Sequence, residues 1–405
     1  MKVLSFIILA FIINVFFICS GSAQPASHVS VADNQFAFEL YSRLASDKGN
    51  LFFSPYSLSS ALGMTYEGAR GQTAQQIRDV LHMDADDALR RSEVSISMQK
   101  INATGKAYEF SVANALWAQQ TYPFKQDYLS LIRNTYFAEA RNLDFVSDPG
   151  SSRVTINDWV STKTKDRIND LLPAGSITSG TRLILTDAVY FKGQWRLPFK
   201  KENTKTDIFW LDTSRSVQTS MMNLEGESFH YAENDQAQLL KLFYRGNEIS
   251  MLIILPRSKD LQDLEKVLTL DMLKQWQSGV YWQAVNVSLP KYKFDSSYKM
   301  KDVLIAMGMK LAFDQNGANF SGMANLKPDE HLYIDDVFHK AWIDTNEQGT
   351  EAAAATGVTM AVAGSIMVAT QPKIFRADHP FIFVIQDDQT GHILFMGRVS
   401  DPREK

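Results

Sequence analysis

The order of elements along this 405-residue chain predicts an α+β fold. Helical periodicity is concentrated early, hairpin signals come late, and no linker or fixed-period repeat separates them. In "DNQFAFELYSRLAS" (33–46), Phe36, Leu40 and Leu44 recur four apart behind Asp33 or Asn34 as the capping residue, so a helix is expected. "TAQQIRDVL" (73–81) likewise sets Ile77, Val80 and Leu81 on one helical face. Farther on, "AQLLKLFY" and "ISMLIILP" flank "RGNE" as one antiparallel hairpin, and "PFIFVIQ" and "HILFMGRV" flank "DDQTG" as another. With 45% hydrophobic residues the chain can bury a large core, and one continuous domain is the simplest reading.

Charge narrows the function classes. The 41 basic and 45 acidic residues leave a net charge of -4 without a long like-charged block, so no nucleic-acid partner is expected. The densest basic stretch, "KGQWRLPFKKENTK" (192–205), contains Glu202 and reads as a solvated loop rather than a polyanion site. At the start, Lys2 precedes an apolar run from Val3 to Ile18, and "GSAQ" (21–24) supplies small residues for cleavage. Residues 1–23 therefore read as a secretory signal peptide and 24–405 as the mature domain. The run is shorter than the ~20 residues a spanning helix needs, so no membrane association is expected. The protein is expected to be secreted, extracellular or, in a bacterium, periplasmic. The one cysteine, Cys19, lies within the leader, which leaves a mature chain held by packing alone.

No motif for catalysis is found: G-x-S-x-G, H-E-x-x-H, C-x-x-C, the Walker loop and G-x-G-x-x-G are all missing. The S-x-x-K matches at Ser97–Lys100 and Ser296–Lys299 lack their partner motifs. "DADD" (84–87) has Leu89 where a calcium loop needs glycine. His331, His339, Asp335 and Asp336 read as one surface histidine and one core hydrogen bond rather than a metal site. An enzyme is not expected, and neither catalytic residues, a metal nor a cofactor is assigned.

The most unusual stretch is "GTEAAAATGVTMAVAGS" (349–365), with one charge and no proline. From Thr350 its alternate residues form one apolar face, with Ala352, Ala354, Val358, Met360 and Val362, and a second face that is small or polar. The thirteen residues 350–362 would span roughly 43 Å as a strand, suited to the middle of a large sheet. On these residues alone, strand and flexible loop both remain open.

The chain also carries "NLFFSPYSLSSALGMTYEGARGQTAQQI" (50–77), "NALWAQQTYPF" (114–124), "INDWVSTKTKDRINDLLP" (156–173), "TDAVYFKGQWRLPF" (186–199), "HKAWIDTNEQGTEAAAATGV" (339–358) and "DHPFIFVIQDDQTGHILFMGRVSDP" (378–402). In this order they strongly resemble the serpin family over essentially the whole mature chain. The resemblance implies three β-sheets, eight or nine helices and an exposed reactive-centre loop over about 347–372. It implies a suicide inhibitor of serine proteases, a monomer that traps its target covalently when the cleaved loop inserts into the main sheet.

Residue by residue, the resemblance makes Glu347, Gly349, Thr350, Glu351, Ala352, Ala353, Ala354, Ala355 and Thr356 the hinge. Counting 17 residues from Glu347 implies a reactive bond at Ala363–Gly364 and specificity of elastase or subtilisin type, with Met360, Val362 and Met367 as other registers. Glu347 is expected to pair with Lys291 beside Trp195, at the breach where the main sheet first parts. Ser54, Ser57 and His339 match the shutter residues beneath the sheet's centre. Asp187 departs from the family's usual asparagine; a buried carboxylate needs a partner, so His339 is expected to pair with it and make sheet opening pH-sensitive. Two arginines in "ALRRSEVSISMQK" (88–100) are a weak glycosaminoglycan signal, so none is expected to bind. Asn102, Asn286 and Asn319 lie in glycosylation sequons. A non-inhibitory carrier, chaperone or storage serpin is the alternative.

Overall fold

The computed structural model describes residues 27–103, 105–327, 330–351 and 371–403. The expected leader with Cys19, the hinge residues Ala352, Ala353, Ala354, Ala355 and Thr356, and the bond Ala363–Gly364 lie outside the described residues, as do Met360, Val362 and Met367.

The first part is mainly helical: α1 (His28–Leu44), β1 (Leu51–Phe53), α2 (Pro55–Gly68), α3 (Gly71–Val80) and α4 (Asp87–Ile101). Next come β2 (Tyr108–Gln119), α5 (Gln126–Tyr136), β3 (Glu139–Leu143), α6 (Pro149–Lys163) and β4 (Leu183–Gln194). Strands dominate the middle, with β5 (Lys205–Trp210), β6 (Ser216–Glu233), β7 (Ala237–Phe243) and β8 (Ile249–Pro256). After α7 (Gln262–Val267) and α8 (Leu270–Gln277) the chain forms β9 (Tyr281–Pro290), β10 (Tyr292–Lys299) and α9 (Lys301–Met307). It ends with β11 (Ile334–Asn346), β12 (Gly349–Thr350), β13 (Lys373–Arg376), β14 (Phe381–Asp387) and β15 (Ile393–Val399).

Both expected hairpins form, β7 with β8 and β14 with β15. The helix expected from Asp33 or Asn34 starts earlier, at His28, with Ser27 as its cap. Asp33 is not the cap because its carboxylate has tertiary partners: it accepts the Ser59 hydroxyl and lies 3.4 Å from His392 Nε2. Other helix starts follow local chemistry. Ser54 precedes Pro55 and accepts the Ser57 N–H at 3.2 Å, and Asp148 before Pro149 accepts the Ser151 N–H at 3.0 Å.

One sheet has six strands in the order β10-β11-β12-β4-β2-β3. The other nine strands form one network, β1-β15-β14-β8-β7-β6-β9-β13 with β5 on β6. Of the three expected sheets, the second and third therefore run into each other through the long β6, at an irregularity between Leu224 and Glu227. Nine α-helices occur among the described residues. An aromatic-rich core that includes Phe52, Phe191, Trp195, Tyr244 and Phe395 draws on strands of both networks. On another face of the six-stranded sheet, α6 and the segment after it bury Ile156, Val160, Ile168 and Leu172 with Trp117, Ile184 and Phe338.

Candidate functional site: a sheet parted at one end

The centre of the six-stranded sheet is a seam between β4 and β11. Over most of its length these strands pair in parallel, from Ile334 opposite Leu183 to Ala341 opposite Val189. Beyond that point they separate and admit β12, which pairs antiparallel with both: Thr350 lies opposite Thr345 on β11 and Gly193 on β4.

Glycines permit this entry. Gly349 has φ +150°, and a Cβ there would lie 2.0 Å from the Gly193 carbonyl oxygen. At Gly193 a Cβ would stand 2.7 Å from the Tyr244 ring. A lone glycine inside the strand-forming "DAVYFKGQW" was the available sequence signal for this close approach.

A clamped turn feeds β12 into the gap. Asn346 Oδ1 accepts the Gln348 N–H at 3.0 Å. Trp195 holds both sides of the turn, its indole N–H on the Asn346 carbonyl at 3.0 Å and its backbone N–H on the Gln348 carbonyl at 2.8 Å. Its ring stacks on Tyr244 with centroids 4.5 Å apart, and Tyr244 Oη lies 2.7 Å from Thr350 Oγ1. Burial pushes the Tyr244 phenol well above its ordinary range, so it remains neutral.

Glu347, expected to pair with Lys291, does so at 2.9 Å and also accepts the Thr204 hydroxyl at 2.9 Å. Burial alone would raise its pKa, but Lys291, its own backbone amide and Thr204 outweigh that and hold it below the usual carboxylate range. Glu351 leaves the gap with φ 50°, donates its N–H to the Asp344 carbonyl at 2.7 Å and meets Arg167 Nε at 2.5 Å. Tyr244, Thr204 and Arg167 were not found from the sequence; nothing in their local pattern distinguishes them from ordinary strand and loop residues.

Midway along the closed part of the seam, His339 and Asp187 face each other in register, both fully buried. His339 Nδ1 lies 2.6 Å from Asp187 Oδ1, and Nε2 accepts the Ser54 N–H at 3.1 Å. That second bond fixes the tautomer: the proton is on Nδ1 and is donated to Asp187. Ser54 Oγ donates to the Leu394 carbonyl at 2.7 Å, and Ser57 Oγ donates to Asn114 Oδ1 at 3.1 Å. Asn114 stands opposite Asp187 on β2. Asp187 Oδ2 has no hydrogen-bond partner among the described residues.

The structure thus brings Lys291, Trp195, Glu347, Gly349, Thr350 and Glu351 to one end of the seam, and Ser54, Ser57, Asp187 and His339 to its middle. The drawn metal constellation does not assemble: His331 is exposed, Asp335 accepts the Thr181 hydroxyl, and His339 belongs to the seam. No cluster of three metal-ligating side chains occurs among the described residues. Arg90 and Arg91 both pair with the buried Glu67, each at 2.6 Å.

A family model described as "Serpin (serine protease inhibitor)" matches residues 31–402. The chain is 41% identical over 385 residues to an uncharacterised serpin-like protein of Thermococcus kodakarensis, covering 95% of this chain and 87% of that one. It is 38% identical over 384 residues to a leukocyte elastase inhibitor of Xenopus tropicalis, covering 93% of this chain and 100% of that one. Among solved structures, human thyroxine-binding globulin complexed with thyroxine is similar at a TM-score of 0.83 and 27% identity, covering 93% of this chain and 99% of that one. Some members of the matched family are protease inhibitors and others are not, but match, relatives and fold agree that the chain belongs to the serpin family.

Proposed function

We propose that this serpin is a secreted, monomeric suicide inhibitor of serine proteases that works without a glycosaminoglycan. The observation that carries the reading is β12, seated between β4 and β11 at the point where the seam parts. Continuing both β12 registers one residue at a time assigns the same residue, Thr356, to the position between Asp187 and His339. Each added residue replaces a parallel contact with antiparallel pairing on both sides, the more stable ladder. The small, uncharged side chains from Ala352 to Ala355 suit rapid entry into such a gap.

In this reading residues 1–23 are a leader, 24–405 form one domain, and 347–372 serve as the reactive-centre loop. The target protease attacks the Ala363 carbonyl with its own serine, releases the amine of Gly364 and becomes an acyl-enzyme. Insertion then carries the tethered protease away and pulls its active site out of register before water reaches the ester. A displacement of about 1 Å can lower a catalytic rate ~10²-fold, so the ester survives. Alanine at the cleaved position suits elastase-like or subtilisin-like enzymes.

Purified mature protein, mixed in turn with pancreatic elastase, subtilisin, chymotrypsin and trypsin, is expected to give a detergent-stable band at the summed mass with at least one of the first two. The released peptide is expected to start at Gly364. Thr350→Arg and Ala354→Pro are each expected to convert trapping into simple cleavage. Cleaved loop with fully active protease from the unmodified protein overturns the reading in favour of a non-inhibitory serpin.

A further inference from the structure

A pocket between α1, α2 and α4 lies apart from the seam and has no part in the function proposed above. It measures 540 Å³ with its open mouth and narrows inward to 30 Å³ of water-sized space. Val29, Ala32, Met83, Leu89, Val94 and Met98 give it an apolar lining. Leu89, 37% exposed, stands toward the mouth with His28 and Asp84, whereas Ser60 and Arg90 are buried within. A concave apolar site with a few polar groups is the usual form of a small-molecule pocket.

The polar lining narrows the chemistry of the occupant. Most of its groups are already paired: Tyr56 Oη lies 3.3 Å from Ser97 Oγ, Tyr136 Oη donates to Glu67 Oε1 at 3.1 Å, and Glu93 accepts the Val29 N–H at 2.9 Å. Asp33 takes the Ser59 hydroxyl, and Asp84 accepts the Asp86 N–H at 2.8 Å. Ser60 Oγ and Arg90 Nε, both buried, have no hydrogen-bond partner among the described residues. A buried polar atom left so is costly until a ligand or water completes its bond. Arg90 Nε can only donate, so the occupant has to supply an acceptor. A negative charge is disfavoured: Glu67 at 2.6 Å and Asp87 at 2.8 Å already neutralise Arg90, and Asp33, Asp84 and Glu93 line the same pocket.

We propose that this pocket binds a small uncharged molecule of the alcohol, ketone or ether class. Its oxygen accepts from the Ser60 hydroxyl, with the Arg90 Nε–H on the same lining as a second donor, and its apolar body lies against Val29, Leu89 and Val94 toward the mouth. The narrow end has room for about two waters, enough for such an oxygen. Tyr56 and Ser60 stand on α2, which is capped by Ser54 and carries Ser57 in its first turn, so an occupied pocket braces the helix that holds the closed seam. The site does not depend on the inhibitory reading.

The test is titration of the mature protein with cyclohexanone and with cyclohexanecarboxylate, which share a ring and differ in charge. Binding is followed at neutral pH through the methyl resonances of Met83 and Met98, assigned with Met83→Leu and Met98→Leu. Cyclohexanone is expected to shift both methyls saturably and to raise the thermal midpoint, and the carboxylate to bind at least about tenfold more weakly. Ser60→Ala is expected to weaken cyclohexanone binding about fivefold, the loss of one hydrogen bond, without lowering the midpoint, because the hydroxyl has no partner in the protein. Val94→Phe is expected to fill the pocket and abolish the midpoint rise. Absence of a saturable shift at either methyl, or a midpoint rise that survives Val94→Phe, overturns the site. Carboxylate binding as tight as that of the ketone overturns the assigned chemistry, and undiminished binding or a lowered midpoint in Ser60→Ala overturns the role of the hydroxyl.

Discussion

The same two strands behave in opposite ways at two places a few residues apart. At His339 and Asp187, β11 and β4 touch directly in a parallel ladder, crossed by a buried side-chain hydrogen bond of 2.6 Å. At Thr345 and Gly193 they no longer touch, and Thr350 stands between them. The open end is held by backbone bonds from Trp195 and by glycines, whereas the closed middle is held by a histidine whose two ring nitrogens reach different elements. Opening is thus built into backbone geometry, while closure depends on one polar pair in a ladder of the weaker, parallel kind.

The largest expected effect comes from filling the open end. Gly349→Val places a branched side chain at a left-handed φ and against the Gly193 carbonyl, which destabilises seated β12 by about 3 kcal/mol. The expected result is expulsion of Thr350 from Tyr244, read as a shift in Trp195 emission and faster proteolysis near residue 350. An emission spectrum and cleavage rate matching those of the unmodified protein would show that glycine is not what admits the strand.

Next in size is the closed middle. Asp187→Ala leaves the His339 Nδ1–H buried without an acceptor, an expected loss of about 2 kcal/mol in denaturant unfolding. Asp187→Asn keeps an acceptor and is expected to lose less than half as much. Equal losses in the two variants would show that an acceptor at residue 187 is not what holds the closed seam.

The smallest effect is expected at Glu347. Lys291 is 39% exposed, so solvent screening limits Lys291→Met to a loss of no more than about 1 kcal/mol. Because the Glu347 carboxyl is held below its ordinary range, its contribution is whole above about pH 4.5 and declines as pH falls through the lower folded value. The variant and the unmodified protein should differ in unfolding midpoint at pH 6 and converge once acid has protonated the carboxyl. A difference that does not shrink as pH is lowered would assign the loss to packing of the lysine stem rather than to charge.

Local rules located both hairpins and the helix around Ile77, because alternation and four-residue periodicity are properties of neighbouring residues. They misplaced the start of α1 because Asp33 has its partners on α2 and beside β15, far away in sequence. Lys291, Trp195 and Glu347 were identified through family resemblance; the structure places Lys291 Nζ 2.9 Å from Glu347 and the Trp195 indole N–H on the Asn346 carbonyl. Tyr244 and Arg167 escaped it: they reach Thr350 and Glu351 from distant parts of the chain, with no periodicity or motif to mark them.

By itself, the sequence determined which segments prefer helix or strand, where a large apolar core is available, and that residues 349–365 carry a single charge, little bulk and no proline to bar a strand. Only the tertiary structure decided that β4 and β11 pair at Asp187 and separate before Gly193. That choice depends on contacts between residues more than 100 positions apart: Ser54 with His339, Trp195 with Asn346 and Tyr244 with Thr350. Propensity and periodicity act between neighbours along the chain, whereas a seam exists only when strands remote in sequence meet.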